Sequence, residues 1–170
     1  MKPHSPHAHK DQGKISVRCG VITVSDTRTE ETDTSGQLIR QRLDEAGHST
    51  IAYHIVPDDP TRIRPLLTEL LGQADLDAVL ISGGTGIARR DVTFDAIHEM
   101  LEKHLPGFGE LFRALSYEEI GSAALLSRAA SGTVGDKVVF SIPGSSGAVR
   151  LAMEKLILPE LGHIVSELRK

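Results

Sequence analysis

Apolar residues occur along this chain in two kinds of spacing that alternate with each other. Near-continuous or alternating apolar runs, typical of strands, are followed by segments whose apolar residues lie three or four positions apart, typical of helices. The runs predict strands at residues 15–25, 49–56, 78–81, 128–134 and 137–142. The helical spacing predicts helices at residues 35–46, 61–71, 93–102 and 110–120, and a closing helix from about residue 148, which Pro159 bends or divides.

This alternation predicts a three-layer α/β/α fold with a mostly parallel sheet, because helices that connect parallel strands cover both faces of the sheet. The Gly135-Asp136 dipeptide suits a two-residue hairpin turn, so one strand is expected to run antiparallel to the others. No internal repeat or interior linker divides the chain, and residues 14–170 are expected to form a single domain. Residues 1–13 contain three histidines, two prolines and no apolar periodicity, and are expected to be a disordered tail.

Composition narrows the class of protein. A formal net charge of −4 and an aromatic content of 4% without tryptophan argue against non-specific nucleic-acid binding. No stretch approaches the ~18 apolar residues of a membrane span, and no signal peptide is recognisable. The single cysteine, Cys19, cannot form an internal disulfide, which favours a reducing compartment. We therefore expect a cytoplasmic protein with neither nucleic acid nor membrane as its partner.

A glycine-rich segment follows the strand expected at residues 78–81. It reads Ser-Gly-Gly-Thr-Gly-Ile-Ala-Arg-Arg-Asp from Ser82 to Asp91, and a helical pattern resumes at about Thr93. Glycines leave backbone N–H groups accessible and the arginines can pair with phosphate, so this order predicts an anion- or nucleotide-binding edge. A plain glycine-rich connection is the alternative. The segment lacks the Gly-Lys-Ser/Thr ending of a Walker ATPase, and Arg89 replaces the third glycine of a dinucleotide fingerprint, which disfavours both classes.

Small, polar or acidic residues stand at the ends of four expected strands, where a parallel sheet binds its ligands. If Asp26, Asp58 and Asp91 face one another there, a shared cation would offset their repulsion, and Mg²⁺ suits carboxylates combined with phosphate oxygens. Taken singly, each aspartate is more often a capping or turn residue. The sequence contains no Cys–His pair, no histidine spacing typical of a metal site and no Gly-x-Ser-x-Gly elbow.

Several short motifs resemble, in the same order, those of a known family. The chain resembles the molybdenum cofactor biosynthesis protein B group, which is related to molybdopterin adenylyltransferases and to a domain of gephyrin-type proteins. The resemblance extends from Val21 to about Glu160. The motifs that carry it are Thr23-Val24-Ser25-Asp26, Asp33-Thr34-Ser35-Gly36, Gly83-Gly84-Thr85-Gly86, Arg90-Asp91-Val92-Thr93, Pro106-Gly107-Phe108-Gly109-Glu110 with Arg113, Ser127-Arg128 and Pro143-Gly144-Ser145.

The resemblance implies a molybdopterin-binding fold and a reaction in which the terminal phosphate of molybdopterin attacks the α-phosphate of Mg·ATP, giving adenylyl-molybdopterin and pyrophosphate. Asp58 and Asp91 would be the catalytic pair that holds Mg²⁺ and the nucleotide. The family also implies homotrimers or homohexamers, with the helix around Leu111 and Leu115 as a contact surface, and other enzymes of the pathway as partners. The residues that would contact nucleotide or pterin are Ser25, Asp26, Ser35, Gly83, Gly84, Thr85, Gly86, Arg90, Arg128, Pro143, Gly144 and Ser145.

Three positions depart from the family pattern. Ile87 and Phe94 stand where many relatives have proline, and Ser146 replaces the second proline of a Pro-Gly-x-Pro loop. These departures affect the implied pterin site more than the implied nucleotide site. The run from Phe112 to Gly121 resembles the B-type branch, in which adenylyltransferase activity is not uniform. A non-catalytic pterin-binding or scaffold protein and a generic nucleotide-binding regulator are therefore the alternatives.

Overall fold

The computed structural model describes residues 15–170, in which strands and helices alternate along most of the chain. The strands are β1 (Arg18–Val24), β2 (Ser49–Val56), β3 (Ala78–Ser82), β4 (Lys103–His104), β5 (Ala130–Val134) and β6 (Lys137–Ile142). The helices are α1 (Thr34–Glu45), α2 (Pro60–Leu71), α3 (Thr93–Met100), α4 (Pro106–Ile120), α5 (Ser146–Ala152) and α6 (Leu158–Leu168). A 3₁₀ helix (Gly121–Leu126) follows α4, and a π-helical turn (Met153–Ile157) joins α5 to α6. The tail expected at residues 1–13 lies outside the described residues.

The strands form one six-stranded sheet in the order β2-β1-β3-β6-β5-β4. β1 pairs in parallel with β2 and β3, and β3 pairs in parallel with β6. β5 is antiparallel to both of its neighbours, β6 and β4. The β5–β6 connection is the expected hairpin, and Gly135 adopts the positive φ of 58° that such a turn requires. The predicted fold class, a mostly parallel sheet with one antiparallel strand, is confirmed.

Helices cover both faces of the sheet because its central strands are apolar on both sides. On one face, Val21, Leu80 and Phe140 belong to a cluster that includes buried residues of α1, α4, α5 and α6. On the other face, Ile22 and Ile81 pack with buried residues of α2 and α3. Consecutive residues of one strand thus enter opposite clusters, as the strand period of two requires. The two clusters and the sheet between them form the three layers.

Two predicted helix boundaries are wrong. The helix expected at residues 93–102 ends at Met100, because residues 103–104 pair with β5 as a short strand that carries no apolar pattern. Residues 106–109, expected to interrupt the helices, form the first turn of α4, where Pro106 needs no backbone donor. Pro159 divides the C-terminal helix as predicted, since it lies in the first turn of α6.

The free cysteine is a buried structural residue. Cys19 lies within β1 and is fully buried, and this burial raises the pKa of its thiol to about 12. A thiol that stays protonated at neutral pH is a poor nucleophile, so the role of Cys19 is packing in the hydrophobic core. No helix among residues 15–170 is long and apolar enough to cross a membrane.

Candidate functional site

The loops that follow the parallel strands contact one another at the carboxyl edge of the sheet. The Gly83 N–H donates a 3.0 Å hydrogen bond to the Ile142 carbonyl, and the Ser25 N–H donates a 2.8 Å bond to the Val56 carbonyl. Gly144 lies so close to Gly83 that a Cβ on Gly144 would come within 3.1 Å of the Gly83 Cα. The strand ends that were expected to converge therefore form one continuous edge.

Internal packing requires glycine in the loop that follows β3, which we call the glycine loop (residues 83–92). Gly83 and Gly84 have φ values of 101° and 64°, in the left-handed region that favours glycine. A Cβ on Gly83 would lie 2.3 Å from a carbonyl oxygen of β1, and one on Gly84 would lie 2.2 Å from Thr93 Oγ1. The sequence predicts that these glycines allow a ligand to approach the backbone. The structure adds a second requirement, the approach of other protein atoms.

Asp58 lies between the glycine loop and the start of α3. Its Oδ1 accepts hydrogen bonds from the Thr93 hydroxyl at 2.6 Å, the Thr93 N–H at 3.1 Å and the Val92 N–H at 3.3 Å. Val92 has no side-chain acceptor, so Asp58 caps α3 from a different loop. Nothing in the local sequence around Asp58 indicates this structural role. The Asp58 Oδ2 accepts no hydrogen bond from the described residues and lies 2.8 Å from the position of a Cβ on Gly84.

Asp26 and Asp91 lie on the same edge, each held by a backbone N–H. Asp26 Oδ1 accepts a 3.2 Å bond from the Asp58 N–H, and Asp91 Oδ2 accepts a 3.0 Å bond from the Ala88 N–H. Asp91 packs against Gly86, where a Cβ would come within 2.3 Å of Asp91 Oδ2. Within residues 15–170, no three His, Cys, Asp or Glu side chains are grouped to hold a metal ion. The three aspartates therefore do not form a three-carboxylate metal cluster.

The carboxylates nevertheless fit an Mg²⁺ ion that accompanies a nucleotide. Asp26, Asp58 and Asp91 each keep one oxygen that accepts no hydrogen bond from the described part of the chain. Mg²⁺ commonly takes one or two carboxylates and completes its octahedral shell with phosphate oxygens and water. The donor set at this edge is therefore suited to a metal–phosphate group and unsuited to a dedicated protein metal site.

A buried network joins α1 to the loop after β6. The Ser35 hydroxyl donates a 2.6 Å hydrogen bond to the Gly144 carbonyl, and Ser35 is buried. Asp33 caps α1 by accepting from the Gly36 N–H at 2.9 Å, and it also accepts a 2.6 Å bond from the Tyr53 hydroxyl. Burial, together with this bond to Asp33, raises the pKa of Tyr53. The network fixes Ser35 and Gly144, two of the expected ligand contacts, relative to each other.

A polar cleft of about 520 Å³ opens beside β2, next to Asp26. Its walls include Ser25, Asp26 and Arg28 from the loop after β1, and His54 from β2. The Ser25 hydroxyl oxygen accepts bonds from the N–H groups of Thr27 and Arg28, at 3.3 and 3.1 Å, and so shapes this loop. Because Asp26 also bonds to the Asp58 loop, the cleft adjoins the carboxylates.

The two arginines that were expected to contact ligand have different environments. Arg90 is exposed and forms no hydrogen bond or ion pair with any described residue. Arg128 is partly buried, with Nε donating to the Thr85 carbonyl at 3.0 Å and Nη1 donating to the Asp95 carboxylate at 3.1 Å. Arg90 is thus available to a ligand, whereas Arg128 is engaged within the protein.

The remaining expected contacts lie after β6. Pro143 is half-buried and follows the strand directly, and Ser145 is exposed. The Ser145 hydroxyl oxygen accepts a 3.2 Å bond from the Ala148 N–H and caps α5. The structure thus brings the expected site residues to one edge of the sheet, although several of them have structural partners there.

Sequence reasoning missed three residues that shape this edge, namely Thr93, Tyr53 and Asp95. Thr93 ends the Arg-Asp-Val-Thr motif, which is the signal that could have identified it. Tyr53 and Asp95 lie 20 and 33 residues from their partners and carry no local signal.

Comparison with known proteins gives one consistent family. Residues 20–163 match the model of a family described as a probable molybdopterin binding domain. The molybdenum cofactor biosynthesis protein B of Bacillus cereus is 59% identical over 163 residues, which cover 95% of this chain and 96% of that protein. A crystal structure of a molybdenum cofactor biosynthesis protein B has a TM-score of 0.91 at 59% identity, covering 93% of this chain and 99% of that one. The tungsten cofactor synthesizing protein MoaB from Pyrococcus furiosus has a TM-score of 0.81 at 41% identity, covering 91% and 98%.

Proposed function

The chain belongs to the molybdenum cofactor biosynthesis protein B family, and from this membership we propose that it binds molybdopterin and adenylates it with Mg·ATP. In this reaction an oxygen of the terminal phosphate of molybdopterin attacks the α-phosphorus of ATP. The bond from that phosphorus to the oxygen of the β-phosphate breaks. The products are adenylyl-molybdopterin and pyrophosphate. Pyrophosphate is the leaving group and keeps the electron pair of the broken bond.

The observation that carries this proposal is a pair of carboxylate oxygens, on Asp58 and on Asp91 of the glycine loop, that accept no hydrogen bond from residues 15–170. Phosphoryl transfer depends mainly on positioning and on neutralising phosphate charge, for which a metal held by carboxylates is well suited. Asp58 and Asp91 would hold the Mg²⁺ that arrives with ATP. Because Asp58 is fixed by the first turn of α3, its free oxygen keeps one position before the nucleotide binds.

Other residues of the edge suit the two substrates. The N–H groups of Gly86 and Ile87 bond to no described residue and can receive phosphate oxygens. Arg90, in the same loop, is exposed, has no partner among the described residues and can pair with phosphate. Thr85 and the two preceding glycines set the path of that backbone. The remaining contacts with nucleotide or pterin would come from the two adjoining loops and α1, through Ser25, Asp26, Ser35, Pro143, Gly144 and Ser145.

A non-catalytic pterin-binding or scaffold protein is the second candidate. The observation that favours it is the cap of α3, because this structural role accounts for Asp58 without any catalysis. Pyrophosphate release from purified molybdopterin and Mg·ATP distinguishes the two. Release that requires both substrates supports the transferase. Pterin binding without release under any divalent metal supports the binding protein.

The proposal also includes an oligomeric state, which we infer from exposed apolar side chains, and a cellular location. Exposed apolar side chains occur on α4 and the 3₁₀ helix after it, and Leu125, the most exposed of them, is 83% exposed. We expect these side chains to be covered in a homotrimer or homohexamer. Leu115, named with Leu111 as part of that surface, packs instead against the core. The cytoplasmic location and the contacts with other pathway enzymes stay predictions.

A further inference from the structure

Arg128 contacts the glycine loop and α3 through every nitrogen of its guanidinium group. Nε donates to the Thr85 carbonyl at 3.0 Å, and Nη2 donates to the carbonyls of Gly86 and Asp91 at 2.5 and 3.2 Å. Nη1 donates to both carboxylate oxygens of Asp95 at 3.1 Å. Each of the three guanidinium nitrogens therefore donates to at least one acceptor oxygen of this chain.

Packing fixes the plane of the Arg128 guanidinium as well. The group lies over the ring of Phe94, 4.7 Å from its centroid, and only 27% of the Arg128 side chain is exposed. A planar group with donors in fixed directions can bind three carbonyls and a carboxylate at once while stacked on a ring. A lysine, with one compact ammonium group, cannot reproduce that set of contacts.

The peptide unit between Asp91 and Val92 is held from two sides. In a trans peptide the carbonyl and the following N–H point in opposite directions, and the described residues contain no cis peptide. The Asp91 carbonyl accepts from Arg128, and the Val92 N–H donates to Asp58 Oδ1 at 3.3 Å. Arg128 and Asp58 therefore hold this unit between them, at the point where the Asp91 side chain leaves the backbone.

The same geometry orients two free donors. Because the carbonyls of Thr85 and Gly86 point toward Arg128, the N–H groups of Gly86 and Ile87 point away from it. Both of these residues are exposed, and neither N–H bonds to another described residue. Adjacent backbone N–H groups that point the same way form an anion-binding concavity. The direction in which this concavity faces is thus set by Arg128.

We propose that Arg128 is a positioning residue that orients the glycine loop for the nucleotide and makes no contact with it. The family resemblance implied a direct ligand contact, but every nitrogen of the guanidinium already donates to an acceptor within this chain. Arg89 and Arg90 are both exposed and unpaired among the described residues, and Arg90, which belongs to the family motif, is the one we assign to the phosphate. This role of Arg128 rests on the proposed binding of Mg·ATP at this edge.

Three variants of the full chain test the role of Arg128, namely Arg128→Lys, Arg128→Gln and Arg90→Gln. The measurements are calorimetric titration with Mg·ATP and hydrogen exchange of the Ala88, Asp91 and Val92 amides, which are bonded in the loop. We expect both Arg128 variants to weaken Mg·ATP at least 10-fold and to similar extents, and to speed exchange at these amides at least 10-fold. Arg90→Gln should weaken Mg·ATP while leaving exchange unchanged.

For Asp95→Asn, the positioning role and simple charge repulsion predict opposite changes in the affinity for Mg·ATP. Removing a negative charge beside the site would strengthen nucleotide binding if charge alone mattered. If Asp95 holds Arg128 in place, Asp95→Asn should instead weaken Mg·ATP severalfold and speed exchange of the loop amides. Adding Asp95→Asn to Arg128→Gln should then cost little more than Arg128→Gln alone.

Two results would overturn the positioning role. One is loop exchange in Arg128→Lys that matches the parent, and the other is Arg128→Lys binding Mg·ATP as well as the parent while Arg128→Gln does not. If the parent itself binds no Mg·ATP, the proposed function fails. The exchange rates would still show whether Arg128 orients the loop.

Discussion

The Asp58 carboxylate accepts a 2.6 Å hydrogen bond from the Thr93 hydroxyl and so joins the loop after β2 to the first turn of α3. One oxygen of this carboxylate is committed to the fold, and the other is available to a ligand. Asp58 therefore has two roles that a suitable pair of substitutions can separate.

Replacing Asp58 by alanine or asparagine should separate its cap from its charge. Asp58→Ala removes the acceptor for the α3 backbone and should lower the free energy of unfolding by about 1 kcal/mol. Asp58→Asn keeps an acceptor oxygen and should melt near the parent temperature. Both variants lose the charge, so pyrophosphate release should fall by roughly 10²–10³. Thermal melts and a pyrophosphate assay with molybdopterin present measure the two effects, and parental turnover in Asp58→Asn would contradict the metal role.

Asp91→Asn should reduce turnover without affecting the fold. The asparagine oxygen can still accept from the Ala88 N–H, while a hard, charged metal ligand is lost. Pyrophosphate release should fall at least ~10²-fold, and pterin affinity should change little. Adding Asp58→Asn should cost less than the product of the single losses, because the residues act as one unit. Asp44→Asn, an exposed change of the same charge on α1, is the control. Turnover of Asp91→Asn equal to that of the control would show that the site is wrong.

Gly84→Ala should destabilise the glycine loop. Gly84 has a φ of 64°, and a Cβ there would lie 2.2 Å from Thr93 Oγ1 and 2.8 Å from Asp58 Oδ2. The left-handed conformation alone costs alanine roughly 1–2 kcal/mol. The melting temperature and the affinity for Mg·ATP should therefore both fall. Gly147→Ala is the matched control, since no atom from the described part of the chain lies within 4 Å of its Cβ position in α5. Equal melts for the two variants would contradict the packing explanation.

The sequence predicts β2 and β6 at their observed bounds because Pro57 and Pro143 directly follow the two apolar runs and the Gly135-Asp136 turn directly precedes the second. It does not predict β4, since Lys103 and His104 are polar and become a strand only by pairing with β5. Local pattern contains no information on such long-range pairing.

The candidate site likewise combines features that the local sequence predicts with features that depend on distant residues. Its location follows from strand ends, which the pattern of the chain reveals. The partners of each polar group do not, because they come from distant segments: Asp58 bonds Thr93 35 residues away, and Arg128 bonds Thr85 43 residues away. Motif resemblance therefore names candidate residues, whereas the fold shows which of them have partners within the protein and which are available to a ligand.

The oligomeric state should depend on the apolar side chains after α4. Leu125 and Leu126 are 83% and 52% exposed, and Ile120 of α4 is 54% exposed. Light scattering after gel filtration should give the mass of a trimer or hexamer, and Leu125→Glu should lower it. Ile51→Glu, at a 41% exposed position on the edge strand β2, is the control and should leave the mass unchanged. A parent that is monomeric at micromolar concentration would contradict the proposed assembly.

At the opposite end of the strands from the site, Asp77 joins the C-terminus to the sheet. Asp77 is 5% exposed and accepts bonds from the Arg18 N–H at 2.9 Å, from the Arg18 guanidinium at 3.0 and 3.1 Å, and from Arg169 at 2.8 Å. Burial opposes ionisation of Asp77, but the bonds from Arg18 and Arg169 outweigh it. They hold the pKa of the Asp77 carboxyl well below its usual range.

The stability that Asp77 contributes should be lost in acid. Because its pKa is lower in the folded than in the unfolded chain, the contribution is complete at neutral pH and declines as the pH falls below about 5, toward the low folded pKa. At pH 7, Asp77→Asn should lower the free energy of unfolding by about 1.5–3 kcal/mol, since it weakens hydrogen bonds to a charged, buried group. That difference from the parent should shrink as the pH falls, because the parent carboxyl is then protonated. Asp75→Asn, the same change of charge at an exposed position two residues away, should show a much smaller difference at every pH. Urea unfolding between pH 3 and 7 measures all three proteins, and a difference for Asp77→Asn that stays constant over this range would contradict the ion-pair role.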